Sequence, residues 1–204
     1  MSAAGATATA LAVGALAGRT HAESIEIAHL ADLFGGGGLG GVAAIEGGGG
    51  IEFRTRPGLP PWGRTIHRPL SGSVFVGLTG APLPSPDLLR DRQFLERVEA
   101  ASDALDELLR RPSERRFFSE SERFTDRLRI APPALERVVR GLRRRGAWAA
   151  QAMFGRSFFA RPKTASSRAE VVAWLERTGI PTVELAPAKR GARLLRSPPK
   201  GSVP

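Results

Sequence analysis

The chain has 204 residues, 42% of them hydrophobic, enough for one large domain or two small ones with a real core. It has no cysteine and three histidines, which excludes disulfides and thiolate-ligated zinc and leaves any metal chemistry to oxygen ligands. The net charge of +10 comes from 27 arginines against three lysines, many of them beside Glu or Asp as in Arg90-Asp91-Arg92 and Glu96-Arg97; such interleaving marks solvated helix faces and disfavours a nucleic-acid partner. The apolar run Ala8 to Ala17 is too short to span a bilayer, and the residues before it lack the positive region of a signal peptide. A cytoplasmic protein with no membrane partner is therefore expected.

In chain order, Met1 to Thr7 reads as a small-residue turn running straight into an alanine-rich helix. Ser2 can cap that helix, and the free N–H groups and positive dipole end behind it would attract an anion such as a nucleotide phosphate. The small residues Ala3, Ala4, Gly5 and Ala6 would let the anion approach the backbone; an ordinary capped helix accounts for the same seven residues. Thr20-His21-Ala22-Glu23 fits a capping box and predicts a second helix to about Leu33, with Ile25, Ala28 and Leu33 toward the core. Gly35 to Gly41 and Gly47 to Gly50 read as backbone-constrained turns framing the apolar stretch Val42 to Ile45.

Ile51 to Arg54 alternates as a strand, Pro57 to Pro61 is a rigid loop, and Ser73 to Thr79 reads as a buried strand. Helices are predicted over Asp87 to Leu109, Ser113 to Leu128 and Pro133 to Arg145; the arginine run Arg140 to Arg145 closes the last, where the helix dipole favours cations. A glycine-punctuated strand pair and a final helix follow. Gln151 to Phe159 is read as extended, Arg168 to Arg177 as helical, Thr182 to Leu185 as extended, and Ser197 to Pro204 as a disordered tail.

Three stretches line up in order: Met1-Ser2-Ala3-Ala4-Gly5-Ala6, Gly37-Gly38-Leu39-Gly40-Gly41-Val42, and Gln151-Ala152-Met153-Phe154-Gly155 with Phe159-Ala160. Together they resemble the phosphate-loop end and the two later motifs of the GHMP kinases, in their archaeal pantoate kinase branch. Lesser echoes at Val74 to Pro84 and Gly191 to Leu195 extend the resemblance over nearly the whole chain. It implies an α+β, two-domain fold: a remnant of the N-terminal ATP-binding domain over residues 1–68, with its first strands missing, then a C-terminal α+β domain over 69–196 ahead of the tail.

It also implies transfer of the ATP γ-phosphate to pantoate, giving 4-phosphopantoate in coenzyme A biosynthesis. The cofactors would be ATP and Mg²⁺: Ser2, Ala3, Ala4, Gly5, Ala6 and Thr7 would face the nucleotide, Asp32 and Ser2 the metal, and Gly38, Gly40, Gly155 and Ser157 the acceptor. A solvated helix surface also accounts for Asp32. His29, one helical turn earlier, reads as structural, and Arg156 as either a carboxylate or phosphate partner or an exposed arginine. The resemblance leaves room for a homodimer.

Two departures stand against it. The family motif ends in an aspartate that would orient or deprotonate the acceptor hydroxyl, and Gly41 is there instead, so no catalytic residue is assigned. The family also has a further N-terminal segment with early strands and upstream phosphate-loop glycines, which suggests a fragment or a displaced start codon. The alternatives are a catalytically inactive relative with a binding role and a kinase for another small alcohol.

Overall fold

The structure, a computed structural model, describes residues 2–38, 40–81, 88, 90–152 and 155–195. The chain divides into two units, one of Met1–His67 with the closing stretch from Ala188, the other of Arg68–Pro187. The expected tail at Ser197 to Pro204 lies outside the described residues.

In the first unit, Ser2 Oγ accepts from Gly5 N–H and starts α1 (Ala3–Leu16). A turn at Gly18 leads to α2 (His21–Phe34), whose Thr20–Glu23 capping box forms as expected. The buried stripe of α2 is Ser24, Ile25, Ala28, His29 and Asp32. This follows helical spacing but corrects the expectation for Leu33, which is exposed. Gly41 and Gly47, read as turn glycines, instead bound a short helix, α3 (Gly41–Gly47). Ala6, Leu11, Ile25, Ala28 and Val42 form the core joining these helices. A two-stranded sheet follows, of β1 (Ile51–Arg56) and β2 (Arg64–Arg68); sequence reading missed β2. The closing stretch joins this unit through Gly49 N–H to Ala188 O and Ala192 N–H to Ile45 O.

The second unit is a four-stranded antiparallel sheet in the order β4 (Ala147–Gln151), β5 (Ser157–Pro162), β3 (Val74–Leu78), β6 (Thr182–Leu185). The glycine-punctuated strand pair forms as β4 and β5, and the stretch Gln151 to Phe159, read as extended, includes the connection between them, because Gln151 closes one strand and Ser157 opens the next. The predicted helix to Leu109 is broken at Ala101-Ser102 into α4 (Arg92–Ala100) and α5 (Asp103–Arg110); its expected start at Asp87 lies outside the described residues. Three further helices are α6 (Glu114–Leu128), capped by Ser113, α7 (Pro133–Arg144), with proline at its first position, and α8 (Ala165–Thr178).

Side chains alternate across the sheet. Phe75, Ala147, Ala149, Phe158 and Ala160 pack with Leu135, Val139, Leu142, Val171 and Leu175 of α7 and α8. On the other face Trp148 stacks on Phe118, and Phe159 on Phe117, so α6 covers that side. Three arginines of the run Arg140 to Arg145 are engaged within the unit. Arg143 Nη1 meets Asp126 at 2.8 Å, Arg140 pairs with Glu136, and Arg145 lies over the Trp174 ring.

Candidate phosphate and metal site

The start of α1 presents the groups an anion needs. Ser2 Oγ takes the Gly5 N–H, which leaves the N–H groups of Ala3 and Ala4 without helical partners. Ala6 and Thr7 do not join them: both are buried against the core, and Thr7 Oγ1 donates to Ala3 O at 2.8 Å. The open face of this helix end is therefore Ser2 to Gly5, narrower than the sequence suggested.

Two later elements meet that helix end. A side chain on Gly41 would begin 2.5 Å from the Ala3 methyl and 3.7 Å from Asp32 Oδ2, so the start of α3, the start of α1 and the end of α2 converge there. Asp32 is 3% exposed, and no hydrogen bond among the described residues engages its carboxylate. It is not on a solvated helix surface. A Cβ on Gly37 would lie 2.3 Å from Asp32 Oδ1, so glycine is required there for the loop to close over the carboxylate. A buried carboxylate beside a helix N-terminus suited to phosphate creates repulsion unless a cation lies between them. Its hard oxygen donors fit Mg²⁺, which binds through one or two carboxylates and completes its shell with phosphate and water. No group of three acidic or imidazole side chains placed to hold a metal occurs among the described residues.

Sequence reading missed one residue of this site. Arg54 of β1 lies directly against Gly40, where a Cβ would sit 2.0 Å from Nη2, and its buried Nη1 has no partner. The signal was present in Ile51-Glu52-Phe53-Arg54, whose alternation buries Ile51 and Phe53 and sends Glu52 and Arg54 to the opposite face. Burial pushes the Glu52 carboxyl above its ordinary value, and the charges of Arg54 and His67 offset this only in part. His29 is buried, with Nδ1 unpartnered among the described residues.

The remaining expected residues divide. Gly38 lies in the glycine loop, where a Cβ would meet nothing within 4 Å. Gly155 and Ser157 belong to the other unit, at the β4–β5 turn, where Gly155 O accepts from Gln151 Nε2 at 2.7 Å and Ser157 O from Ala152 N–H. Arg156 is not simply exposed: its side chain lies 3.0 Å from where a Gly80 Cβ would stand, and its Nε is buried without a partner. Met153 and Phe154 of that motif, and Leu39 of the earlier one, lie outside the described residues.

No family model matches the chain. Pantoate kinase from Thermococcus kodakarensis is 31% identical over 142 residues, covering 69% of this chain and 47% of that protein. A solved structure described as a phosphotransferase related to the coenzyme A biosynthesis pathway superposes with a TM-score of 0.79 over 93% of this chain and 62% of its own, at 24% identity. The chain is a relative of pantoate kinase with the GHMP-kinase fold. A mevalonate kinase from L. major, solved with R-mevalonate, shares that fold at a TM-score of 0.53 and 18% identity, over 82% of this chain and 59% of its own. The chain thus spans about half the length of its curated relative. At Gly41, where the sequence resemblance leads one to expect an aspartate, a Cβ would stand only 2.5 Å from the Ala3 methyl.

Proposed function

We propose that this chain belongs to an ATP-dependent kinase that phosphorylates pantoate to 4-phosphopantoate on the route to coenzyme A. The observation that carries the reading is the buried Asp32, whose carboxylate is met at Gly41 by the start of α1 with its open N–H groups, in a relative of pantoate kinase. Phosphoryl transfer depends on positioning and on charge neutralisation more than on covalent chemistry by the protein. The Ala3 and Ala4 N–H groups would receive phosphate oxygens, with Ser2 and Asp32 as the residues to hold Mg²⁺. That ion would neutralise charge developing on the phosphoryl oxygens. Arg54 would offer its free guanidinium edge to an oxyanion at the Gly40 turn, either the acceptor carboxylate or a phosphate. Gly38 and Gly40 keep that turn low enough for an acceptor to approach.

A second reading is favoured by Gly41, which supplies no base for the acceptor hydroxyl: a relative that binds Mg-ATP without turning it over. The two separate by equilibrium binding of Mg-ATP together with ADP release in the presence of pantoate, homoserine or mevalonate. The kinase reading expects pantoate-dependent ADP release, and Mg-ATP binding weakened about tenfold or more by Asp32→Asn and by Arg54→Gln. Faster turnover of another alcohol would move the substrate, and binding without turnover would establish the second reading.

A further inference from the structure

The four-stranded sheet of the second unit has two edges, and they are finished differently. At β4 the outward peptide groups are taken by side chains: Ala149 N–H donates to Glu122 Oε1 at 2.8 Å, Ala149 O accepts from Arg143 Nε at 2.8 Å, and Gln151 N–H donates to Thr125 Oγ1. That edge is closed by α6 and α7. At β6, Leu78 N–H donates to Pro181 O, which fixes the alternation. Pro181, Val183 and Leu185 turn their peptide groups toward β3, and Thr182 and Glu184 turn theirs outward. Among the described residues nothing meets the outward N–H and C=O of Thr182 and Glu184.

The side chains beside the open edge are apolar. The register puts Val183 and Leu185 on the same face as Val74, Val76 and Phe159, and α6 covers the β4–β5 half of that face through Phe117 and Phe118. Val183, Leu185 and the neighbouring Leu78 are each more than half exposed. A bare strand edge flanked by exposed apolar side chains is a template for another strand, and proteins ordinarily blunt it with charge, proline or a covering element.

A second copy fits this edge by symmetry. Antiparallel pairing of β6 with itself about a two-fold axis at Val183 places Thr182 of each copy opposite Glu184 of the other. These are the residues whose peptide groups face outward, so four N–H···O bonds form and none of those groups is left over. Charge favours the same register: each Glu184 meets a threonine and keeps its own Arg168, bonded at 2.7 Å, whereas an axis at Glu184 would oppose two carboxylates. On the apolar face Val183 then meets Val183, and Leu185 meets Pro181. We infer that two copies of this chain associate through β6, joining their sheets into one of eight strands. This interface is independent of the phosphate chemistry proposed for the first unit.

The test uses the full 204-residue chain. Sedimentation should show exchange between the 21.7 kDa chain and a species of twice that mass over about 1–100 μM, the range a small interface allows. The chain has no cysteine, so single introduced cysteines report the register. Val183→Cys lies on the axis, where facing Cα atoms stand about 4.5 Å apart, and should oxidise in air to a covalent dimer about tenfold faster than Leu185→Cys, whose copies lie out of register. Val183→Lys opposes two cations on the axis and should give a monomer at every concentration, with the circular dichroism spectrum unchanged. Leu16→Lys, at an exposed apolar residue of the first unit, should leave the dimer intact. A chain monomeric throughout that range overturns the inference and leaves the edge to a strand of another protein. It is equally overturned if the dimer survives Val183→Lys, if Leu16→Lys separates it, or if the two cysteines cross-link at equal rates.

Discussion

The two units differ in how their charged side chains are paired: among the described residues, the ion pairs that join different elements lie in the second. In the second, arginines meet acidic partners and carbonyls across elements: Arg143 reaches Asp126 and Ala149 O, and Arg168 bonds Glu184 at 2.7 Å. Its sheet is enclosed between α7 and α8 on one face and α6 on the other. The first unit has a smaller core and leaves Arg54 Nη1 and Glu52 Oε1 buried without partners among the described residues, as the second leaves Gln151 Oε1 and Arg156 Nε. It also exposes Leu16 and Phe34 on its helical hairpin. Unpaired buried charge costs stability, so a structure retains it where a ligand completes the pairing. The second unit is thus braced by ion pairs between its elements, whereas the first carries the glycine loop, Asp32 and Arg54 on which the proposed phosphate chemistry rests.

The largest effect that would sharpen this contrast is expected from Phe158→Ala. Phe158 is fully buried, and its ring occupies the space a side chain on Gly77 would need. Its truncation should cost about 3–5 kcal/mol, read as a lower denaturant midpoint for the fluorescence of Trp148 and Trp174. A loss below about 1 kcal/mol would break the picture of a tightly packed scaffold.

Next is Gly41→Asp, which places there the acidic residue that the motif resemblance leads one to expect. Alone it should destabilise the chain by about 1–3 kcal/mol, because the new Cβ collides with the Ala3 methyl. Combined with Ala3→Gly it should lose that collision and, if a base is what the site lacks, raise pantoate-dependent ADP release about a hundredfold. Equal stability of the single and double variants would show that Ala3 is not the obstacle.

The smallest effect is a difference in pH dependence. Glu52 has a raised folded value through burial, so the stability it contributes is present below the ordinary glutamate value and is lost as pH rises through the raised one. Glu184 behaves oppositely: the Ser73 hydroxyl and then Arg168 hold its carboxyl low, so its contribution is present at neutral pH and lost on acidification. Glu52→Gln should therefore remove a loss of stability that begins as pH rises above the ordinary glutamate value, and Glu184→Gln a gain that is complete by that value, in thermal unfolding followed from acid to neutral pH. Slopes that move in the same direction would contradict the assignment.

Much of the scaffold could be read in advance from local signals. The Thr20–Glu23 capping box, the Pro133 helix start and the strand at Ser73 to Thr79 each depend on residues a few positions apart, and each formed. Misreadings arose where tertiary context overrode a local cue. Gly41 and Gly47 bound a helix, and glycine is needed at each because the Ala3 methyl and the His67 ring occupy the space a Cβ would take, not because a turn needs glycine's backbone freedom. Leu33 is apolar, but the buried stripe of α2 runs through Asp32. The site was half legible. Ser2 and Asp32 came from the motif resemblance, whereas Arg54 was hidden in a strand whose alternation was noticed but whose charged face was not followed.

The sequence by itself determined the caps, the helical and strand periods and the order of the glycine motifs, because those rest on backbone chemistry within one turn or one strand. Only the tertiary structure decided that Ala3, Asp32, Gly41 and Arg54 surround one glycine loop, and that Thr7 turns away from it. Those residues are far apart in the chain, and their meeting depends on how closely α1, α2, α3 and β1 pack, which small side chains permit and no local pattern encodes.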